Sequence, residues 1–208
     1  MFIEKNATIL FQGDSITDCG RDRETGTLGN GYPKYIAGLF NSMYPELNVK
    51  FINKGISGNR VVDLQERWTE DCINLKPDVL SILIGINDTW RKYDSNDETS
   101  AEKYYNGFND ILTRVRLEVG DIPIIILEPF LMPHPEDRKA WRVDLDPKIQ
   151  MARQIAREFG ATYIPLDGIF AANSINVEPS YWAGDGVHPT EAGHALIARM
   201  WLEAIDSI

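Results

Sequence analysis

Five short apolar runs recur along the chain, and longer segments with helical spacing separate them. The runs are 7–12 (ATILFQ), 49–53 (VKFIN), 78–84 (DVLSILI), 122–127 (IPIIIL) and 161–166 (ATYIPL). Most are near-continuous in apolar residues, as parallel strands covered on both faces are. Helical patterns fall at 31–44, 60–73, 100–119, 147–159 and 191–205. In the last of these, Ala195, Leu196, Arg199, Leu202 and Ile205 share a helical spacing. Thr190, just after Pro189, suits its N-cap. This alternation predicts an α/β fold in three layers, a five-stranded parallel sheet between two sets of helices. No repeat, low-complexity tract or linker interrupts it, so residues 1–208 read as one domain.

In such sheets, sites form beyond the carboxyl ends of the strands. The residues found there are unusual for plain turns. The first run ends in Gly13-Asp14-Ser15, the second in NKGISGNR (53–60) and the third in GINDTW (85–90). The fourth ends in a long, Pro-rich connection, 128–141. After the fifth comes an irregular stretch, 167–184, and then DGVHPTEAGH (185–194).

Ser15 alone proves little, because a serine after a strand commonly caps a helix. It sits in neither a GxSxG elbow nor a phosphate loop. Asp185 and His188 change the balance. A nucleophilic serine needs a base, and the base needs an orienting carboxylate. At a spacing of three, Asp185 can reach His188 and turn its other ring nitrogen towards Ser15. The chain has three histidines. His194 falls within the last helix, where packing or solvation is the better reading, and His134 lies in the long loop. Acyl transfer also needs donors for a developing oxyanion. The candidates are the Ser15 N–H, the Gly58 N–H and the Asn87 side-chain amide. Each could instead serve a turn or a cap. Asp14, Asp88 and Thr89 read as turn or helix starters without chemistry.

Composition excludes other classes. Against 21 basic residues stand 31 acidic ones, a formal charge of −10. No lysine or arginine block offsets it, so nucleic acid and anionic lipid are poor partners. The spacing of the histidines fits no metal pair, and the two cysteines, Cys19 and Cys72, form no CxxC. Neither metal nor cofactor is expected. No apolar run is long enough to span a bilayer, and the first residues lack the pattern of a secretory leader. The expected location is the cytoplasm.

In order along the chain, GDSIT with Ser15, ISGN with Gly58, GIND with Asn87, and DGVHP with Asp185 and His188 resemble the four blocks of the SGNH hydrolases, the GDSL-type esterases. The first block carries Ile16 where the family name has leucine. The resemblance implies a flavodoxin-like fold with strand order 2-1-3-4-5. It also implies Ser15 as nucleophile, His188 as base and Asp185 as orienting acid. Ser15 N–H, Gly58 N–H and Asn87 would form the oxyanion hole. LFQGDSITDCGR (10–21), NKGISGNR (53–60), ERWTED (66–71) and IGINDTWRKYD (84–94) look more closely like bacterial intracellular acetyl-xylooligosaccharide esterases of this superfamily. That likeness implies deacetylation of imported plant oligosaccharides.

Aromatic residues near the blocks suit stacking on sugar rings, and equally core packing: Trp90, Trp141, Tyr181 and Trp182. Arg91 and Arg142 could donate to a sugar or simply pair with acids. Five tryptophans, some in loops, leave room for a homo-oligomer. Two competing readings are a lysophospholipase or thioesterase of the same superfamily and a flavodoxin-like binding module without catalysis.

Overall fold

Strand β1 (Thr8–Gly13) sends its side chains alternately to two faces of one sheet. Ile9 and Phe11 enter one apolar core and Leu10 the other. The computed structural model describes residues 3–206. The remaining strands are β2 (Lys50–Asn53), β3 (Val79–Leu83), β4 (Ile124–Leu127) and β5 (Thr162–Ile164). All pairings are parallel, in the order β2-β1-β3-β4-β5. This is the architecture and order expected from the sequence. The strands are shorter than the apolar runs that revealed them.

Helices cover both faces. Helix α2 (Tyr32–Met43) and α9 (Glu191–Asp206) share one core, where Phe11, Tyr32, Phe40 and Trp201 are fully buried. The indole N–H of Trp201 is satisfied by Ser81 Oγ at 3.1 Å, which explains a serine inside a buried strand. Helices α3 (Val61–Asp71), α5 (Ala101–Glu118) and α6 (Arg142–Phe159) pack on the other face around Leu64, Trp68, Phe108 and Ile111. Of the positions read as one stripe in α9, Leu196, Leu202 and Ile205 are buried, while Ala195 and Arg199 are exposed. Thr190 Oγ1 accepts from Gly193 N–H at 3.3 Å, as an N-cap does.

Four short helices were not foreseen. They are α1 (Ser15–Asp18), α4 (Ile86–Asp94), α7 (Leu166–Asn173) and α8 (Pro179–Trp182). The last two lie in the stretch read as irregular. Helix α6 also starts at Arg142 rather than at Pro147. Proline is common at a helix start, and that preference misplaced the boundary. Here it stands inside the helix, and Val143, whose carbonyl would have paired with the missing N–H, is exposed. Among the described residues no helix is long and apolar enough to cross a membrane.

Candidate active site

The exits of β1, β2 and β3 and the loop before α9 supply the site. Asp14 N-caps α1, its Oδ1 accepting the Ile16 N–H at 2.9 Å. Ser15 therefore occupies the first helical position, where its own N–H has no intrahelical acceptor. The cap is thus Asp14 and not Ser15, which corrects the cap reading of that serine. Ser15 Oγ lies 2.8 Å from His188 Nε2, and His188 Nδ1 lies 2.6 Å from Asp185 Oδ2. The carboxylate can only accept, so Nδ1 carries the proton and Nε2 is free to accept from the serine. Ser15 and His188 are 173 positions apart in sequence.

The Asp185–His188 segment is a tight, self-bonded loop. Asp185 Oδ1 accepts from Val187 N–H (3.0 Å) and His188 N–H (2.7 Å). Burial alone would push this carboxyl up. Hydrogen bonds from the His188 ring and from both N–H groups outweigh burial and hold it well below the usual carboxylate range. For His188 the hydrogen bond to Asp185 is the largest influence and raises its pKa. Burial opposes the rise, and the charges of Asp185 and Asp14 add to it. Asp14 is fully buried, and its Oδ2 has no hydrogen-bond partner. Burial pushes its pKa up to about 7, against the Ile16 N–H and the nearby His188.

The two other predicted donors stand side by side. Gly58 sits at φ +85°, a left-handed conformation that glycine adopts without cost. Asn87, buried at the start of α4, donates one amide hydrogen to the carbonyl of Asn59 at 3.1 Å. Its amide has a second hydrogen to give. Arg91, one turn later, reaches Asn87 Oδ1 at 3.4 Å and pairs with Asp94. The predicted sugar contact Arg91 thus lies against an oxyanion candidate.

Two carboxylates without assigned chemistry hold these blocks together. Asp18 Oδ2 accepts from both the N–H and the hydroxyl of Ser57, at 3.0 and 2.9 Å, and so ties the Gly58 turn to α1. Asp88 is fully buried and accepts the Val61 N–H at the start of α3, at 3.2 and 3.4 Å. It links the chain just after Gly58 to the helix that carries Asn87. The signal available for both was an acidic residue within a block already chosen for other reasons.

The aromatic candidates separate. The partly buried Trp90 packs on His188, with ring centroids 5.7 Å apart. Trp141 is only 5% exposed and lies among Trp90, Tyr93 and Arg138, so its ring is committed to protein contacts rather than open to a sugar. Tyr181 and Trp182 meet edge to face. Tyr181 borders a surface hollow with Tyr35, Thr190 and Glu191. Arg142 forks onto Asp167 at 2.6 and 2.8 Å and also meets Asp146, which leaves it a structural pair. His194 is buried in α9 and accepts the Tyr32 N–H at 3.2 Å. Burial, with the nearby His188, lowers its pKa to about 4.

Known proteins similar to this chain share its length as well as its fold. The model of the GDSL-like lipase/acylhydrolase family matches residues 11–196. An acetylxylan esterase of Geobacillus stearothermophilus is 40% identical over 99% of this chain and 96% of its own. A crystal structure described as a GDSL-like lipase, from Parabacteroides merdae, superposes with a TM-score of 0.94 at 38% identity, covering 98% of this chain and 97% of its own. A solved catalytic mutant of the Geobacillus esterase Axe2, with a histidine replaced by alanine, superposes at 0.90 with 38% identity, covering 99% and 96%. Further Axe2 catalytic mutants replace an aspartate or a serine. The aspartate and histidine replaced there stand three positions apart. With this match in sequence, length and fold, the chain is a carboxylic-ester hydrolase of the GDSL-like lipase/acylhydrolase family.

Proposed function

We propose that this enzyme removes acetyl groups from xylooligosaccharides, with Ser15 as nucleophile, His188 as general base and Asp185 as orienting acid. The observation that carries the mechanism is the unbroken hydrogen-bonded chain from Ser15 Oγ through both nitrogens of His188 to Asp185. The 40% identity to an acetylxylan esterase over nearly the whole chain supports the substrate. As Oγ attacks the ester carbonyl, its proton passes to His188 Nε2. The new oxyanion is held by the Ser15 N–H, the Gly58 N–H and the second amide hydrogen of Asn87. As the ester C–O bond then breaks, His188 gives the proton to the departing sugar oxygen, which leaves as a hydroxyl. Water, deprotonated by the same imidazole, releases acetate from the acyl-serine. No step calls for a metal or a cofactor. The whole chain acts as one catalytic domain, and its place of action is the cytoplasm.

Mass spectrometry of acetylated xylan, mannan and pectin oligosaccharides after incubation tests the substrate. Acetyl loss from the xylan fragments is expected to be fastest. Equal loss from all three would remove the sugar assignment and leave the esterase. A lysophospholipase or thioesterase would instead prefer octanoate over acetate in a series of p-nitrophenyl esters.

Asn87→Ala is expected to lower kcat by about 10²–10³-fold, the usual cost of one oxyanion donor. Steady-state kinetics on p-nitrophenyl acetate, with melting checked in parallel, would show it. The pH profile follows from His188. The base must be neutral, so activity falls as pH falls through its pKa. Asp185 raises that pKa above the ordinary 6.5, so the acid limb of kcat/KM should turn above 6.5. An inflection below that value would contradict the pairing.

A further inference from the structure

The long connection after β4 packs directly on the Asp185–His188 loop. Met132 N–H donates to the Gly186 carbonyl at 2.8 Å. Gly186 sits at φ +85°, and a Cβ there would collide with the His134 carbonyl oxygen. From the same connection, Arg138 Nε donates to the main-chain carbonyl of Asp185 at 3.2 Å. Its guanidinium lies 4.1 Å from the centroid of Trp141 and 5.3 Å from that of Trp90. Trp90 in turn packs on the His188 ring. The Arg138 side chain is 14% exposed, and its outer nitrogen pairs with Asp137 at 2.7 Å.

We infer that Arg138 is a positioning residue, which fixes the Asp185–His188 loop and the Trp90 wall against Ser15 by one hydrogen bond and two ring contacts. The inference rests on the catalytic reading of Ser15, His188 and Asp185. A single planar cation suits the task. One face can lie on an aromatic ring while an edge N–H points along the backbone. With two of its three nitrogens and its ring contacts engaged by protein and the side chain only 14% exposed, little of it is left to meet a substrate. Its loss should therefore change the rate of acylation rather than the binding of ester. A displacement of the base by a fraction of an ångström is enough, because proton transfer depends steeply on that geometry.

The test uses Arg138→Met, which keeps the length and apolar stem, and Arg138→Lys, which keeps the charge but not the planar fork. Active sites are first titrated with a serine-directed phosphonate, and kcat is expressed per labelled site. Arg138→Met is expected to lower kcat on p-nitrophenyl acetate by roughly 10- to 100-fold with KM within about twofold of wild type. Arg138→Lys should fall between the two. Should Arg138→Met not fold, the Lys variant carries the same comparison. Wild-type kcat per site in the folded variants, or a raised KM at unchanged kcat, would overturn the proposal. A wild-type enzyme that the phosphonate does not label would overturn the catalytic reading instead, which keeps the two failures distinct.

Discussion

Ser15→Ala is expected to leave less than about one part in ten thousand of wild-type kcat, since removing the nucleophile of a serine hydrolase removes nearly all that the base and acid contribute. The reason is local. Oγ lies 2.8 Å from His188 Nε2, and among the described residues no other hydroxyl shares that contact. What survives should come from the oxyanion donors and from binding alone. The fold should survive as well, because Asp14, not Ser15, caps α1 through its side chain. Turnover of p-nitrophenyl acetate and covalent labelling by a phosphonate should therefore vanish together while the melting temperature stays put. Retained turnover in a metal-free preparation would sink the serine mechanism.

Asp185→Asn is the second large effect, and its cause is the tautomer rather than the fold. The carboxylate accepts three hydrogen bonds, from the His188 ring, the His188 N–H and the Val187 N–H. An asparagine can still accept the two backbone bonds through Oδ1. Its amide nitrogen would then face Nδ1 as a donor. His188 answers by moving its proton to Nε2, where it can no longer take one from Ser15. The same substitution in an unrelated serine-hydrolase fold lowers kcat by about 10⁴, and a loss of that order is expected here. The variant should also lose the upward pull on His188, so the acid limb of whatever activity remains should move to lower pH. A loss of less than about tenfold would mean that Asp185 only shapes its loop.

The fold was legible wherever one physical signal dominated. Runs such as IPIIIL admit little besides a covered strand, and the 18 residues of α5 carry an unmistakable apolar stripe. Legibility failed where polar residues are buried. Helix α4 opens with Ile86, Asn87, Asp88 and Thr89, all buried, so no alternation of apolar and polar marks it. Helix α7 is short and contains Gly168, and it hid for the opposite reason, being apolar nearly all round. The hydrogen-bonded chain at the site could be foreseen because serine, histidine and aspartate at strand exits suggest one chemistry. The braces behind it could not. Asp18, Asp88 and Arg138 act through backbone atoms of distant loops, and nothing in their own neighbourhoods announces that. Trp141 misled for a related reason: the same ring that would suit a sugar also suits Arg138 and Tyr93.

The 173 positions that separate Ser15 from His188 also bear on when the molecule can become active. A polypeptide leaving the ribosome presents Ser15 well before the imidazole that would arm it under the proposed mechanism. It is then fixed by a loop wedged between the post-β4 connection and α9. Until that late segment docks, the serine is an ordinary alcohol, incapable of forming an acyl adduct in a half-made chain. On this reading reactivity is acquired later than the strand and turn that carry Ser15, and it would be lost whenever the Asp185–His188 loop came away from the post-β4 connection.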